Sequence, residues 1–139
     1  GSVVQVVQNT AGGSVNNSTS QTFATAISIN ITPQSSSNKI LVSFSGCYDT
    51  DDGGRQIYFR IIRTVGGVDT IVSGNDTTLG SAWDATDRQI SNMNVQYLDS
   101  PNSTNSITYT LQFAPWNSYS VEWNSQGVRS VAIAQEIAG

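Results

Sequence analysis

The sequence predicts an all-β protein, and more specifically a jelly-roll-like antiparallel β-sandwich. Val, Ile and Thr account for 39 of the 139 residues, whereas Ala, Leu, Glu, Lys, Arg and Met, the strong helix formers, account for 22. β-Branched side chains lose rotamer freedom in a helix and fit a pleated sheet. Apolar and polar residues also alternate over short segments, and turn residues separate those segments at regular spacing.

In the first half of the chain, this alternation predicts five strands, at residues 3–8, 23–31, 39–48, 56–65 and 68–73. Pro33 follows the second strand and ends it, because proline cannot donate a hydrogen bond to a ladder. Gly66 and Gly67 supply the positive φ angles that a two-residue hairpin turn needs. The strand at 56–65 carries apolar residues on both faces, which is expected either in the middle of a sheet or against a partner subunit.

In the second half, four more strands are predicted, at residues 89–98, 107–113, 119–123 and 128–137. Residues 74–88 are predicted to form a long loop that carries Trp83. Nine strands with regularly spaced turns are typical of a β-sandwich or jelly roll. Gly1 and Ser2 are interpreted as the remnant of an expression tag, and residues 3–139 as one domain.

Composition argues against several classes of function. The absence of histidine excludes His-dependent catalytic triads and His-ligated zinc. Cys47 is the single cysteine, so we expect it to be a buried, unpaired thiol and expect no thiolate metal cluster. A net charge of −4 with one lysine provides no basic stripe for nucleic acid. No apolar run approaches the ~20 residues of a membrane span, so no membrane insertion is expected.

Two groups of carboxylates were weighed as metal or catalytic sites. Asp49, Asp51 and Asp52 resemble the start of a calcium loop, but Gly53 and Arg60 occupy positions where an EF-hand needs oxygen ligands. A different calcium site and a plain acidic turn both stay open, and no cofactor or metal is predicted.

The second group comprises Asp84, Asp87, Glu122 and Glu136, which are candidates for the carboxylate pair of a glycoside hydrolase. Such a pair must lie about 5–10 Å apart, and no catalytic motif surrounds any of the four residues. We therefore interpret them as exposed charges and expect that the protein is not an enzyme.

The tryptophans suggest carbohydrate binding, because exposed aromatic rings stack on the faces of sugars. Tryptophan is more often largely buried, so packing in the core or at a subunit interface is the alternative. Trp83 lies in a charged loop and is predicted to bind ligand. Trp116 and Trp123 are interpreted as packing residues.

The predicted ligand-binding residues lie in two loops, at residues 49–55 and 75–88. Loops held by a rigid scaffold often carry binding sites. Sequence spacing does not determine whether these two loops meet. They combine a ring for stacking with carboxylates, arginines and glycines. The predicted site comprises Asp51, Asp52, Arg55, Trp83, Asp84, Asp87 and Arg88.

Five segments occur in order along the chain: Q-V-V-Q at 5–8, I-S-I-N-I-T-P-Q-S-S-S-N-K-I-L-V at 27–42, F-R-I-I-R at 59–63, D-S-P-N-S-T-N-S-I-T-Y-T-L-Q-F at 99–113 and S-V-A-I-A-Q-E-I-A-G at 130–139. This combination resembles the C-terminal head domains of bacteriophage tail or virion fibre proteins, especially those of marine and freshwater phages, including cyanophages. The segments are strand and turn motifs, so they identify a scaffold rather than a chemistry. Residues 49–89 follow no pattern of the family.

The resemblance implies a jelly-roll-like head that forms a homotrimer at the end of a fibre stalk on the virion. Two functions are expected from it. The head binds a host surface receptor, either a glycan or a protein, during attachment. Alternatively, it is a structural domain for trimerisation or capsid decoration, without a ligand. An enzyme that cleaves surface polysaccharide is a third and weaker alternative.

Overall fold

The structure is a computed structural model, which describes residues 1–73 and 80–139. The described residues form eleven β-strands, one short 3₁₀ turn at Ser125–Gly127 and no α-helix. None of them forms a helix that is long and apolar enough to cross a membrane. The strands are β1 (Val3–Ala11), β2 (Val15–Asn17), β3 (Ala24–Ile31), β4 (Lys39–Asp49), β5 (Gln56–Val65), β6 (Val68–Ile71), β7 (Gly80–Trp83), β8 (Ile90–Asp99), β9 (Ile107–Pro115), β10 (Val121–Trp123) and β11 (Ser130–Ile137).

The strands form two antiparallel sheets that pack face to face. In the first sheet β8, β4, β11 and β1 lie side by side. β10 replaces β11 as the neighbour of β4 near Asp49, and β2 pairs with β10. In the second sheet the order is β3, β9 and β5, and both β6 and β7 pair with the free edge of β5.

The pairing of the main strands is nested. β1 pairs with β11, β3 with β9, β4 with β8, and β5 with β6 and β7. The first strand thus pairs with the last and each following strand pairs with one further in. This is the connectivity of a jelly roll, in which one long hairpin folds across itself. The predicted fold class is confirmed.

Aromatic side chains fill the space between the sheets. Phe44, Phe59, Phe113 and Trp123 are almost completely buried. Trp123 packs directly over Gly46, where a Cβ atom would lie 2.2 Å from the indole ring. Only glycine fits at this position of β4. Trp123 is therefore a core packing residue, as predicted.

Two short strands were not predicted. β2 lies between the strands predicted at 3–8 and 23–31, and β7 lies inside the predicted loop 74–88. β2 has three residues and β7 has four, and both lie in polar, glycine-bearing segments that are typical of loops. The strand predicted at 56–65 is correct, and it lies in the middle of the second sheet between β9 and the β6 and β7 pair.

Cys47 is a free, buried thiol, as predicted. It follows Gly46 on β4 and therefore points away from the core, because side chains alternate along a strand. Burial raises the pKa of the Cys47 thiol, and the nearby carboxylates of Asp49 and Glu122 raise it further. A thiol with a raised pKa is a weak nucleophile, so this cysteine has a packing role.

A buried carboxylate closes one end of the sandwich. Glu136, on β11, is completely buried and accepts hydrogen bonds from Nε2 of Gln5 at 2.5 Å, Nδ2 of Asn38 at 2.7 Å and the backbone N–H of Gln34 at 2.7 Å. Burial acts to raise the pKa of Glu136, but these hydrogen bonds outweigh it and hold the pKa below its usual value. One side chain thus fixes β1 and the turn before β4. Interpreting Glu136 as an exposed charge is therefore wrong, because the fold buries it.

A second buried carboxylate lies in the same cross-strand row of the first sheet as Glu136. Asp99, at the end of β8, accepts two hydrogen bonds from one N–H group of Arg63, at 2.7 and 2.8 Å, and a third from the Tyr109 hydroxyl at 2.7 Å. Burial raises the pKa of Tyr109, and its hydrogen bond to Asp99 raises it further. Arg63 and Tyr109 belong to the second sheet, so this cluster joins the two sheets.

Replacing Glu136 with alanine should destabilise the fold. Glu136→Ala leaves three donors without their acceptor. We expect the free energy of unfolding to fall by about 3 kcal/mol. Thermal unfolding followed by circular dichroism should show a Tm lower by roughly 10 °C. Asp69→Ala, which removes an exposed carboxylate from β6 on the other sheet, is the matched control. Equal Tm values for the two variants would contradict the role assigned to Glu136.

Candidate functional site

The two predicted binding loops meet in the structure. They are the loop after β4, residues 50–55, and the loop after β7, residues 84–89. The N–H of Thr50 donates to the carbonyl of Gln89 at 2.9 Å, and the N–H of Gly54 donates to the carbonyl of Asp84 at 2.7 Å. The N–H of Gln89 returns a hydrogen bond to the hydroxyl of Thr50 at 2.9 Å. The loops thus form one continuous surface.

An ion pair lies at the centre of this loop pair. Asp49 is completely buried, and Arg88 donates to both of its oxygens, from Nε to Oδ1 at 2.8 Å and from a terminal N–H to Oδ2. The hydrogen bond from Arg88 lowers the pKa of Asp49, against the opposing effect of burial, and the backbone N–H of Asp51 and the hydroxyl of Ser125 lower it further. Arg88 therefore stabilises the arrangement of the two loops.

Gly53 permits the close approach of the two loops. A Cβ atom at this position would lie 2.3 Å from the carbonyl oxygen of Thr86. On the opposite loop, Oδ1 of Asp84 accepts hydrogen bonds from the N–H groups of Thr86 at 2.9 Å and Asp87 at 3.0 Å. These hydrogen bonds, that of Thr86 first, lower the pKa of Asp84. Asp84 thus stabilises its own turn.

The remaining predicted residues differ in how many hydrogen bonds and ion pairs their side chains form. Arg55 forms an ion pair with Asp51 at 3.1 Å, donates to the carbonyl of Ser120 at 3.3 Å and lies 5.6 Å from the centre of the Tyr119 ring. Asp52 and Asp87 are exposed. Of the predicted set, the side chains of these two aspartates and of Trp83 are the ones least tied to the rest of the protein by hydrogen bonds and ion pairs. The predicted loop 75–88 begins at residues 75–79, which lie outside the described residues.

The geometry bears on one metal arrangement and on one candidate pair for glycoside hydrolysis. Among residues 1–73 and 80–139, no group of three or more His, Cys, Asp or Glu side chains is placed to hold a metal ion. Glu122 pairs with Asp49 and Glu136 pairs with Ile40, so the two glutamates lie nine residues apart along β4. That separation is about 30 Å, too long for the carboxylate pair of a glycosidase.

Trp83 is the last residue of β7 and is 56 % exposed. Its backbone pairs with Gln56 of β5, and on the other side of Gln56 the N–H of Trp116 donates to the Gln56 carbonyl at 3.0 Å. Trp83, Gln56 and Trp116 therefore form one row across the end of the second sheet. The neighbouring Tyr58 meets Trp116 edge to face, with ring centres 5.6 Å apart.

Trp116 is not a core residue, because 45 % of its surface is exposed. The prediction that Trp116 packs in the core is therefore wrong. The alternative, that it packs at a subunit interface, stays a prediction. Strand phase could have revealed this position. Tyr109, Leu111 and Phe113 all point inward along β9, so continued alternation points residue 116 outward. The prediction missed the signal because it assigned Trp116 by residue type alone.

A separate groove lies over the first sheet, where β4 exchanges β11 for β10. It is lined by Ser45, Gly46, Asn92, Asn94, Val128, Arg129 and Val131. None of the predicted site residues lines it. The loop pair and the groove are therefore distinct surfaces.

Comparison with known proteins finds similarity of structure alone. No family model matches the chain, and no curated protein matches it in sequence. The fold is similar to a chain in the structure of infectious bursal disease virus, Gx strain, with a TM-score of 0.60 and 15% identity, covering 99% of this chain and 33% of that one. A chain of the T13 particle of the same virus gives a TM-score of 0.50 and 11% identity, over 99% of this chain and 37% of that one.

These identities establish a common fold and no more. The chain spans about a third of the length of the viral chains that it resembles. Its jelly-roll fold is thus one that a virus particle also uses. The bacteriophage fibre origin stays a prediction.

Removing the central arginine should make the loop pair sensitive to acid. The lowered pKa of Asp49 stabilises the fold above its usual pKa of 3.8, and this contribution is lost as pH falls through the lowered value. In Arg88→Ala the main cause of the lowering is gone while burial still opposes ionisation. An acid titration followed by tryptophan fluorescence should show unfolding at a higher pH than in the wild type.

Arg129→Ala is the control for this titration, because Arg129 is exposed and lies outside the loop pair. It should unfold at the same pH as the wild type. If Arg88→Ala also keeps the wild-type midpoint, the ion pair does not hold the two loops.

Proposed function

We propose that this chain is a structural domain of a virus particle and that it associates with copies of itself. The support is its jelly-roll fold, shared with chains of infectious bursal disease virus, one of them from a viral particle. A virion location follows from the same proposal. The observation that carries self-association is the outer surface of the first sheet.

That surface, here called the aliphatic face, consists of three rows of outward side chains on β1, β11, β4 and β8. One row runs Leu98, Leu41, Gln135 and Val6; the next runs Gln96, Ser43, Ile133 and Gln8; the third runs Lys39, Ile137 and Val3. Val6 is 58 % exposed, and Val3 and Leu98 are about half exposed. Lys39 is the single charged side chain in these rows.

The outer surface of the second sheet differs in composition. At the same end of the molecule it presents Ser28 and Asn30 from β3 and Thr108 and Thr110 from β9. Apolar patches rimmed by polar residues mark association surfaces, and one with a single charged side chain suits a second copy of the same chain. The aliphatic face is therefore the surface that we assign to self-association.

The proposed assembly is a homotrimer carried by an upstream fibre stalk, as the resemblance to phage fibre heads implies. Closed cyclic symmetry is the norm for soluble homo-oligomers. A trimer can bury one aliphatic face from each subunit around its axis.

A second proposed function is attachment to a host surface, through a glycan or a protein. The observation that favours it is the rigid loop pair, which holds the exposed carboxylates of Asp52 and Asp87 beside Trp83. Binding residues placed on loops that a scaffold holds fixed lose little entropy when a ligand binds.

The assembly proposal is tested by light scattering and analytical ultracentrifugation of the isolated domain. We expect a mass three times that of the 14.8 kDa chain. Val6→Asp and Leu98→Asp place charges in the proposed interface and should shift the mass to that of the monomer. Asn30→Asp and Thr108→Asp, on the opposite sheet, should leave the trimer intact. A wild-type monomer at micromolar concentration would rule out the proposal.

The attachment proposal is tested with fluorescently labelled domain on a panel of marine and freshwater bacteria, including cyanobacteria. The double variant Asp52→Ala/Asp87→Ala leaves the Asp49–Arg88 ion pair intact and should bind cells about tenfold more weakly. Asp69→Ala, an exposed aspartate of β6, serves as the control. Unchanged binding by the double variant would show that these loop carboxylates take no part in attachment.

A further inference from the structure

An aromatic row crosses the outer surface of the second sheet at the end nearest the loop pair. It consists of Trp83, Gln56 and Trp116, with Tyr58 beside Trp116. Ala82 and Ile57, the neighbours of Trp83 and Gln56 on their strands, point into the sandwich, so the row points out. The two tryptophans are separated by two strand spacings, about 10 Å between their backbones.

These tryptophans are exposed although indole is rarely left in water. Trp83 and Trp116 are both about half exposed, while Trp123 is completely buried. Elsewhere on this sheet surface the described residues include the polar side chains of Ser28, Asn30 and Thr110. The core does not require either ring. A surface that keeps two indole rings in water is a candidate for ligand contact.

Hydrogen-bonding groups lie in fixed positions beside the rings. Gln56 stands between the two tryptophans. Four residues further along β5, Nε of Arg60 donates to Oε1 of Gln112 at 2.8 Å, and its guanidinium lies 3.9 Å from the centre of the Phe23 ring. Amide and guanidinium groups held by such contacts are already oriented before a ligand arrives.

We infer that this aromatic row binds a polysaccharide chain. The flat face of an indole ring packs against the C–H groups of a sugar ring, and amide and guanidinium groups can hydrogen-bond to its hydroxyls. The rings stand on an open sheet surface, which suits a chain lying across it better than a single sugar held in a pocket. Two rings on either side of β5 can contact two sugar units of one chain.

This inference deepens the attachment proposal and rests on it, because it names the ligand class and moves the main contact from the loop carboxylates to the sheet. The competing occupant is a second copy of this chain. Against that occupant, the aliphatic face assigned to self-association lies on the other sheet, while the surroundings of the aromatic row are polar. A polar surround with isolated rings fits a sugar polymer.

The test uses an array of surface polysaccharides extracted from the same panel of bacteria. We expect the wild-type domain to bind at least one of them, with a shift in tryptophan fluorescence as the rings leave water. Trp83→Ala and Trp116→Ala should each weaken this binding about tenfold. Trp116→Phe keeps a ring and should retain most of the binding. Asn30→Ala, on the same sheet surface, should bind like the wild type.

The outcomes separate this inference from the attachment proposal. Binding to cells but to no extracted polysaccharide would overturn the inference and leave attachment standing. Binding to polysaccharide but not to cells would support the aromatic row and reject attachment. Wild-type affinity in the tryptophan variants, or binding to neither target, also overturns the inference. Loss of the oligomer in Trp83→Ala or Trp116→Ala would identify the row as an interface between copies.

Discussion

The loops and sheets of this jelly roll are positioned by carboxylates that the fold buries. Asp49, Asp99 and Glu136 each accept hydrogen bonds from more than one element, and each lies at an end of the sandwich. Apolar packing holds the sheets together, but it does not determine where a loop stands. Buried acceptors with several donors do so, because an unsatisfied donor costs about 1–3 kcal/mol.

These clusters show what the segments that resemble phage fibre heads contribute to the fold. The segments supply Gln5, Asn38, Arg63, Asp99 and Glu136, all of which belong to the two clusters at one end of the molecule. The opposite end, with its Asp49–Arg88 ion pair, lies in the stretch that follows no family pattern. The scaffold end and the end that carries the loops are thus built from different parts of the sequence.

The fold was predictable because alternation is a local signal, and strands of eight or more residues display it fully. β2 and β7 were missed because each is three or four residues long within a polar, glycine-bearing segment, whereas the equally short β6 follows the Gly66–Gly67 hairpin turn. The role of Glu136 was beyond sequence reasoning, since Gln5 and Gln34 lie 131 and 102 residues away. The same limit applies to the ion pair of Arg88, because its partner Asp49 lies 39 residues earlier in the chain. The outward position of Trp116 could have been predicted from the alternation of side chains along β9.

The aliphatic face and the aromatic row lie on opposite sheets, so they face in opposite directions. An assembly that buries the first leaves the second on its outside, once for every subunit. Several weak contacts to one polymer then act together, since each bound subunit raises the effective concentration of sugar at the next. Such avidity strengthens binding by about 10²–10⁴ without any new contact. A modest affinity per subunit is therefore compatible with a firm hold on a surface.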